Sequence, residues 1–241
     1  MKAMIFAAGM GTRLKPLTDT MPKALVSVAG KTLLQHTIEK LADAGFDEIV
    51  INAHHFSEQI IQFLQRHHNF GLSIRISDES GQLLDTGGGI RKAAPLLNDG
   101  SPFLVHNVDI LSNANLKELY SHHLQTKGMA TLLVNERNSS RYLLFDDQYR
   151  LQGWVNQLTG ETKSPHPHFT PTAYHHFAFS GIQVISPGIF EWMKNIPDKF
   201  PIIDFYLSIS AEVEINAFPV PCLKIIDVGK IESLKEAESF F

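Results

Sequence analysis

Apolar strand-like runs and helix-like segments alternate through the first 135 residues, and this alternation limits the fold more than any other feature of the chain. The helical type is clear at 32–44, where Leu33, Leu34, Ile38 and Leu41 recur at helical spacing. Strands are predicted at 4–8, 48–52, 72–77, 103–106 and 130–134, and helices at 32–44, 57–66, 90–97 and 116–125. This β-α-β-α order predicts an α/β fold whose mixed, mostly parallel sheet is flanked by helices.

The pattern changes after about residue 136. Residues 142–155 are typical of a β-hairpin, and the polar, proline-rich residues 156–172 predict a long loop. The remaining predictions are a strand at 176–185, helices at 187–193 and 202–211, a strand at 223–227 and a closing helix at 231–240. Because no linker or internal repeat separates the two parts, we predict one domain over 1–241, in which 136–241 contains a portion that faces a substrate.

The composition is that of an ordinary globular protein, with 44% apolar and 19% charged residues. The net charge of −4 argues against nucleic acid as a partner, so any attraction for phosphate must be local. Cys222 is the only cysteine, which excludes an intramolecular disulfide. We find no signal-peptide pattern and no apolar stretch of membrane-spanning length, and therefore expect a cytoplasmic protein without a membrane partner.

A glycine turn and a basic loop follow the first predicted strand. Gly9 and Gly11 leave the backbone open, so that its N–H groups could approach a phosphate without interference from side chains. Arg13 and Lys23 then supply positive charge for a polyphosphate. The alternative is a tight turn that binds nothing, but the two nearby cations favour the first interpretation. The segment predicts a nucleoside triphosphate as a substrate.

Spacing excludes two better-known phosphate loops. The Walker pattern ends in Gly-Lys-Ser/Thr, and the segment around Gly9 does not contain it. The dinucleotide fingerprint requires a third glycine where Leu14 stands, and it opens directly into a helix. Pro16 and Pro22 instead favour extended or turn conformations. A dinucleotide-dependent oxidoreductase is therefore the weaker hypothesis.

Two aspartates occur at the ends of predicted strands. Asp109 comes shortly after the strand at 103–106, and Asp227 closes the strand at 223–227. In an open α/β sheet, ligands bind beside the carboxyl ends of the strands. Mg²⁺ is commonly held there by one or two carboxylates together with phosphate oxygens. Either aspartate alone could be a turn residue, but together with the basic glycine loop they predict a metal site.

A second glycine-rich segment lies just before the helix predicted at 90–97. Thr86 is followed by three consecutive glycines, 87–89. Exposed backbone at the end of a strand would suit a nucleobase or a phosphate that rests against the main chain. A flexible turn without a ligand is the alternative for this segment.

In combination these motifs resemble those of sugar-1-phosphate nucleotidyltransferases, and they follow that family's order along nearly the whole chain. The segments that carry the resemblance are residues 2–13, Pro16-Leu17-Thr18, Pro22-Lys23-Ala24-Leu25, Leu84-Asp85-Thr86-Gly87-Gly88-Gly89-Ile90, Asn107-Val108-Asp109, Ala178-Phe179-Ser180-Gly181-Ile182 and Ile226-Asp227-Val228-Gly229. The chain looks most similar to N-acetylmuramate 1-phosphate uridylyltransferases, followed by mannose- or heptose-1-phosphate guanylyltransferases.

The resemblance implies a Rossmann-like nucleotidyltransferase fold and Mg²⁺-dependent transfer of a nucleotidyl group from a nucleoside triphosphate to a sugar 1-phosphate. It places nucleotide binding in 1–135 and sugar-phosphate binding in 136–241. UTP with N-acetylmuramate 1-phosphate is the first expectation, and GTP with mannose or heptose 1-phosphate is the alternative. A sensor that binds a nucleotide sugar without turnover is a further alternative, although it need not keep all four charged residues of the site.

The resemblance also implies a role for each site residue. Arg13 would lie over the leaving pyrophosphate, and Lys23 would lie between the two reacting phosphates. The other implied contacts are the triphosphate at Ala8, Gly9, Gly11 and Thr12, the nucleobase at Gly87 and Gly88, Mg²⁺ at Asp109 and Asp227, and the sugar phosphate at Asn107, Ser180 and Gly181.

Three features depart from the family pattern. Val108 replaces the usual glycine before the metal acid, which predicts a stiffer backbone there. Lys230 stands where a threonine is common. The chain ends after one predicted helix and lacks the C-terminal β-helix of several relatives, so we expect a monomer or a small homo-oligomer.

Overall fold

The computed structural model describes residues 1–240 and contains fourteen strands and eight α-helices within that range. The strands are β1 (Lys2–Phe6), β2 (Ser27–Val28), β3 (Lys31–Thr32), β4 (Glu48–Ala53), β5 (Ser73–Asp78), β6 (Phe103–Asn107), β7 (Ile110–Ser112), β8 (Ala130–Asn135), β9 (Arg141–Phe145), β10 (Leu151–Asn156), β11 (Thr162–Lys163), β12 (His175–Ile185), β13 (Ile215–Pro219) and β14 (Ile225–Asp227). The helices are α1 (Leu33–Asp43), α2 (Ser57–Arg66), α3 (Asp85–Lys92), α4 (Ala94–Leu97), α5 (Leu116–Thr126), α6 (Ile189–Trp192), α7 (Ile202–Ile209) and α8 (Ile231–Glu238).

Ten strands form one mixed sheet, whose main path runs β11-β10-β9-β12-β6-β1-β4-β5, with β8 on β12 and β13 on β8. The neighbours β6, β1, β4 and β5 are parallel, whereas β12 is antiparallel to β6, β8 and β9. The predicted α/β architecture with a mixed sheet flanked by helices is confirmed. Because β1, β4, β5 and β6 are parallel, their carboxyl ends meet at one edge of the sheet.

Both faces of the sheet are buried under helices. In β1, Ala3 and Ile5 join one hydrophobic layer and Met4 joins the other, because successive side chains of a strand point to opposite faces. Side chains of α1, α2 and α5 complete the first layer, and side chains of α3, α4, α6 and α7 complete the second. Within residues 1–240, no helix has both the length and the apolar character needed to cross a bilayer.

The long amphipathic helices form where the sequence predicts them. Thr32 caps α1 by accepting a hydrogen bond from the backbone N–H of Gln35 at 3.0 Å. Asn115 caps α5 in the same way, accepting from the backbone N–H of Glu118 at 3.1 Å. These caps satisfy N–H groups that would otherwise lack a partner in the first turn, so both helices begin within one residue of the predicted start.

Short strands in the second half were not predicted. The segment 156–172, expected to be a loop, contains β11, which pairs with β10, and β13 forms between the predicted helix at 202–211 and the strand at 223–227. The short strand β7 also follows Asp109 without a strong local pattern. The partners of β13 and β7 are distant in sequence, so a local pattern carries little information about these two strands. The strand β11 has only two residues and pairs with the neighbouring β10.

The prediction for the second glycine segment was wrong about its backbone. Helix α3 begins at Asp85, and the three glycines lie buried inside its first turns. A Cβ atom at Gly87 would lie 2.2 Å from the ring of Phe200, and one at Gly88 would lie 2.2 Å from the carbonyl oxygen of Asp198. The glycines therefore allow the segment before α7 to pack directly on α3, which compensates for their low helix propensity.

We expect Gly88→Ala to lower the free energy of unfolding by about 1–3 kcal/mol, because the added methyl group collides with backbone rather than with a flexible side chain. Helix propensity alone would favour alanine by about 1 kcal/mol, so the direction of the change tests the packing argument. Chemical denaturation measures it. Gly81→Ala is the control, since a Cβ at Gly81 meets no atom within 4 Å, and a stabilised Gly88→Ala protein would contradict the packing.

Candidate active site

A cavity of about 420 Å³ opens at the edge where the parallel strands end. Its wall consists of Phe6, Ala8, Gly9, Gly11, Thr12, Arg13, Lys23, Asn52, Glu79, Leu83, Asp85, Thr86, Asn107, Val108, Asp109, Lys199 and Gly229. Four other cavities are larger, at about 470, 490, 660 and 670 Å³, but none of them is lined by the glycine loop. The wall includes eight of the residues that the sequence singled out and leaves out Gly87, Gly88, Ser180, Gly181 and Asp227.

The glycine loop leaves β1 with free hydrogen-bond donors. Gly11 has a φ of 62°, a left-handed conformation that glycine adopts without strain. Its carbonyl oxygen accepts from the backbone N–H of Leu14 and from the hydroxyl of Thr18, both at 2.8 Å, which fixes the turn. Within the described chain, the N–H groups of residues 9–11 donate to no protein atom. The loop therefore presents unused donors of the kind that bind phosphate oxygens.

Lys23 and Asp109 form an ion pair in the wall of this cavity. The lysine side chain is 9% exposed and the aspartate side chain 22%. Backbone hydrogen bonds fix the position of Asp109. The N–H of its neighbour Val108 donates to the carbonyl of Phe6, and the N–H of Val228 donates to the carbonyl of Asp109 itself. A largely buried lysine beside a more accessible carboxylate supplies a fixed positive charge at the cavity.

Asp227 reaches the same place from the far end of the chain. It is the last residue of β14, which pairs antiparallel with β7 so that Asp227 lies opposite Ile110, the residue after Asp109. Reduced hydration in the fold, followed by the neighbouring Asp109 carboxylate, raises the pKa of Asp227. The positive charges of Lys23, Arg13 and Arg137 act in the opposite direction. The structure thus brings the two aspartates together, with cations around them.

The two carboxylates suit Mg²⁺ when a phosphate supplies further oxygens. Among residues 1–240, no group of three or more histidine, cysteine, aspartate or glutamate side chains is placed to hold a metal by itself. Mg²⁺ commonly takes one or two carboxylates and completes its shell with water and substrate phosphates. Asp109 and Asp227 fit that donor set, and the Asp109 carboxylate contributes to the raised pKa of Asp227.

We expect Asp227→Asn to raise the melting temperature of the metal-free protein at pH 7. The pKa of Asp227 is raised in the folded state, so the folded protein favours the neutral acid, and the ionised form costs stability above both pKa values. The amide removes that cost. The advantage should shrink on acidification and vanish below the ordinary carboxyl pKa of 3.8, where both states are protonated. Calorimetry in EDTA tests this, and a lower melting temperature at pH 7 would contradict it.

The model of the nucleotidyl transferase family matches residues 2–155. The chain belongs to this family. It is 32% identical to N-acetylmuramate alpha-1-phosphate uridylyltransferase of Neisseria meningitidis serogroup B over 99% of this chain and 97% of that protein. It is 36% identical to mannose-1-phosphate guanylyltransferase catalytic subunit beta of Dictyostelium discoideum, over 56% of this chain and 38% of the relative. The predicted membership among sugar-1-phosphate nucleotidyltransferases is confirmed.

Solved structures agree with the family fold. HddC from Yersinia pseudotuberculosis, crystallised with GMP-PN, superimposes with a TM-score of 0.77 and covers 98% of this chain and 97% of its own. The two sequences are 24% identical, so this likeness concerns the fold alone. The family assignment rests on the sequence comparisons, and the solved structure agrees with the observed fold.

A strand irregularity in β12 lies beside Asn107, one of the residues in the cavity wall. The register of β12 on β8 shifts between Phe179 and Gln183, and Gly181 there has a φ of 74°. A Cβ at Gly181 would lie 2.8 Å from Nδ2 of Asn107, so glycine permits this close approach. Ser180 is 1% exposed, and its hydroxyl finds no hydrogen-bond partner in the part of the chain that the structure describes. The structure thus joins Asn107 and Gly181 and leaves the Ser180 hydroxyl buried beside them.

A buried network under the glycine loop was missed by sequence reasoning. Asn52 accepts from the backbone N–H of Ala7 at 2.8 Å and donates to Glu79 at 2.7 Å, and Glu79 also accepts from the N–H of Leu84 at 3.3 Å. Both polar side chains are almost fully buried. The network ties β1 to the segment before α3. Asn52 could have been found, because it lies near the end of a predicted strand in the manner of Asp109.

Lys199 was also missed. It lies in the loop before α7, is exposed, and forms part of the same cavity wall as the glycine loop. Within residues 1–240 it has no carboxylate partner. No local pattern marks this lysine, because only the packing of residues 198–200 on α3 brings it to the site.

Proposed function

We propose that the protein transfers a nucleotidyl group from a nucleoside triphosphate to a sugar 1-phosphate, releasing pyrophosphate. The observation that carries the proposal is the joint position of three parts: unused backbone donors at residues 9–11, the Lys23–Asp109 pair, and Asp227 across the β7–β14 ladder. Donors, a buried cation and two carboxylates meet the needs of a triphosphate with its divalent ion.

The chemistry needs alignment and charge compensation. An oxygen of the sugar phosphate attacks the α-phosphorus, the bond from that phosphorus to the bridging oxygen of the β-phosphate breaks, and pyrophosphate leaves. The attacking oxygen is ionised at neutral pH, so no general base is required. Arg13 and the glycine loop would hold the triphosphate, and Lys23 would offset the charge as the phosphates approach. Mg²⁺, held by Asp109 and Asp227, would supply further neutralisation.

For the specific substrates we propose UTP and an amino-sugar 1-phosphate such as N-acetylmuramate 1-phosphate. The relative named for this reaction aligns over almost the entire chain, whereas the guanylyltransferase relative aligns over 56% of it. A second cavity of about 490 Å³ supports the sugar assignment. Trp154 and Phe179 give it an apolar wall, and Arg141 contributes a cation without an ion-pair partner in residues 1–240. N-acetylmuramate carries an apolar substituent and a carboxylate that match these two features.

GTP with mannose 1-phosphate or heptose 1-phosphate is the alternative, supported by the guanylyltransferase relative. The base would contact the cavity near Leu83, Asp85 and Thr86. Gly87 and Gly88 are the expected base contacts, but both donate their backbone N–H groups to the carbonyl of Phe200, at 2.9 and 3.3 Å. A base contact at these glycines would therefore have to involve other atoms.

A substrate panel tests the proposal. The purified protein is incubated with Mg²⁺ and each pairing of UTP, GTP, dTTP, CTP or ATP with N-acetylmuramate, N-acetylglucosamine, glucose, mannose or heptose 1-phosphate. Pyrophosphate release gives the rate, and the product mass identifies the nucleotide sugar. The proposal expects fastest turnover for UTP with N-acetylmuramate 1-phosphate and none in EDTA. Turnover with GTP and a neutral sugar would favour the alternative. Tight binding of a nucleotide sugar without any pyrophosphate release would indicate a sensor.

A further inference from the structure

Arg137 is a cation beside the irregular part of β12 that the mechanism above does not use. It follows β8 in the link to β9, and one of its guanidinium N–H groups donates to the carbonyl oxygen of Phe179 at 3.2 Å. No carboxylate in residues 1–240 forms an ion pair with it. The side chain is exposed to solvent but is anchored at one point. An anchored arginine without a counter-ion has most of its donors available.

The anchor places Arg137 at the irregular part of β12. Phe179 is the residue before Ser180 and Gly181, where the strand register shifts and where Gly181 approaches the side chain of Asn107. Asn107 lines the triphosphate cavity, and Phe179 lines the neighbouring cavity of about 490 Å³ that we assign to the sugar. The hydrogen bond to Phe179 therefore anchors Arg137 beside the boundary between the two cavities.

The positions of the neighbouring cations give Arg137 a separate task. Three cations belong to the site or its border: Lys23, Arg13 and Arg137. Lys23 is already paired with Asp109, and Arg13 lines the triphosphate cavity. A sugar 1-phosphate brings about two further negative charges at pH 7 toward a triphosphate that is itself strongly negative. Of the three cations, only Arg137 comes from the half that would hold this second phosphate.

We propose that Arg137 binds the phosphate group of the sugar 1-phosphate and orients its attacking oxygen. This inference rests on the proposed function. Arginine suits the task because its planar guanidinium can donate two parallel hydrogen bonds to two phosphate oxygens, whereas lysine acts as a single point charge. Arg137 contacts the sugar 1-phosphate in this proposal, and binding of the nucleoside triphosphate does not depend on Arg137.

Steady-state kinetics with Arg137→Gln and Arg137→Lys test the inference, with each substrate varied at saturating levels of the other. We expect Arg137→Gln to raise KM for the sugar 1-phosphate at least tenfold and to lower kcat, while KM for the triphosphate changes less than twofold. For Arg137→Lys, we expect a KM for the sugar 1-phosphate and a kcat between those of Arg137→Gln and those of the native protein. The control is Arg66→Gln, an exposed arginine at the end of α2, which should leave all constants unchanged. Circular dichroism and melting temperature establish that each variant folds.

The outcomes separate the two proposals. If the native protein releases no pyrophosphate with any pair in the panel, the proposed function fails and the role of Arg137 fails with it. If the native protein is active and Arg137→Gln leaves KM for the sugar 1-phosphate unchanged, only the role of Arg137 is refuted. An equal rise in both KM values would also refute it, because that result indicates a general disturbance of the site. If Arg137→Gln fails to fold, the same comparison is made with Arg137→Lys: the change in KM for the sugar 1-phosphate against the change in KM for the triphosphate.

Discussion

Replacing Lys23 with alanine is expected to lower kcat/KM by about 10³-fold, which corresponds to about 4 kcal/mol of transition-state stabilisation. Lys23 is almost fully buried and lies in the wall of the same cavity as the glycine loop. In the variant, a cation from solvent would therefore not replace its charge. Its removal also leaves Asp109 without its partner, which adds a negative charge where the phosphates approach each other. Pyrophosphate release under single-turnover conditions measures the chemical step.

The fold should survive this change, because Lys23 lies in a short turn whose backbone bonds are independent of its side chain: the N–H of Val26 donates to the carbonyl of Lys23 at 3.1 Å. Lys15→Ala is the matched control. Lys15 belongs to the same loop but is exposed and pairs with Asp19 at 3.0 Å, so its loss should change kcat/KM less than threefold. Near-native turnover in a folded Lys23→Ala protein would remove the central cation from the mechanism.

Asp109→Asn is expected to lower kcat by about 10²–10³-fold and to raise the Mg²⁺ concentration needed for half-maximal rate. Asparagine keeps the shape of the side chain but has no charge. The change in kcat therefore measures the loss of metal binding and of the ion pair with Lys23, and not a change in packing. The backbone bond from Val228 to the carbonyl of Asp109 remains, and it should keep Asp227 in place. A Mg²⁺ titration of the initial rate separates weaker metal binding from slower chemistry.

A second lysine–aspartate pair provides the control for Asp109→Asn. Lys2, largely buried at the start of β1, binds the more exposed Asp99 at 2.5 Å, far from the glycine loop. Asp99→Asn removes the same kind of pair without touching the site, so it should leave both kcat and the Mg²⁺ dependence unchanged. If Asp109→Asn behaved like Asp99→Asn, Asp109 would be a structural partner of Lys23 and not a metal ligand.

Local patterns were sufficient where one segment carries the information by itself. The helices α1 and α5 were predicted from their apolar spacing, and their capping residues agree with the predicted starts. The alternation of strands and helices predicted the parallel half of the sheet. The position of Asp109 after a buried strand followed from the same logic. The helices and their caps depend on contacts within about a dozen residues, and the parallel pairing followed from the order of strands and helices along the chain.

Features that depend on distant segments were not available from the sequence. Glycines 87–89 looked like an open turn, because nothing nearby in the sequence shows that residues 198–200 press against them. The strand β13 forms only on β8, and Lys199 reaches the cavity only through the packing on α3. Arg137 likewise gains its position from a carbonyl group on β12. Long-range packing decided all four cases, and a single sequence contains no direct record of it.

The β7–β14 ladder has a consequence for synthesis of the protein. One acid precedes β7 in the middle of the chain, and the other arrives with β14 near its end. Until residues 225–227 have been synthesised and have paired with β7, the chain has only one of the two carboxylates that we propose as metal ligands.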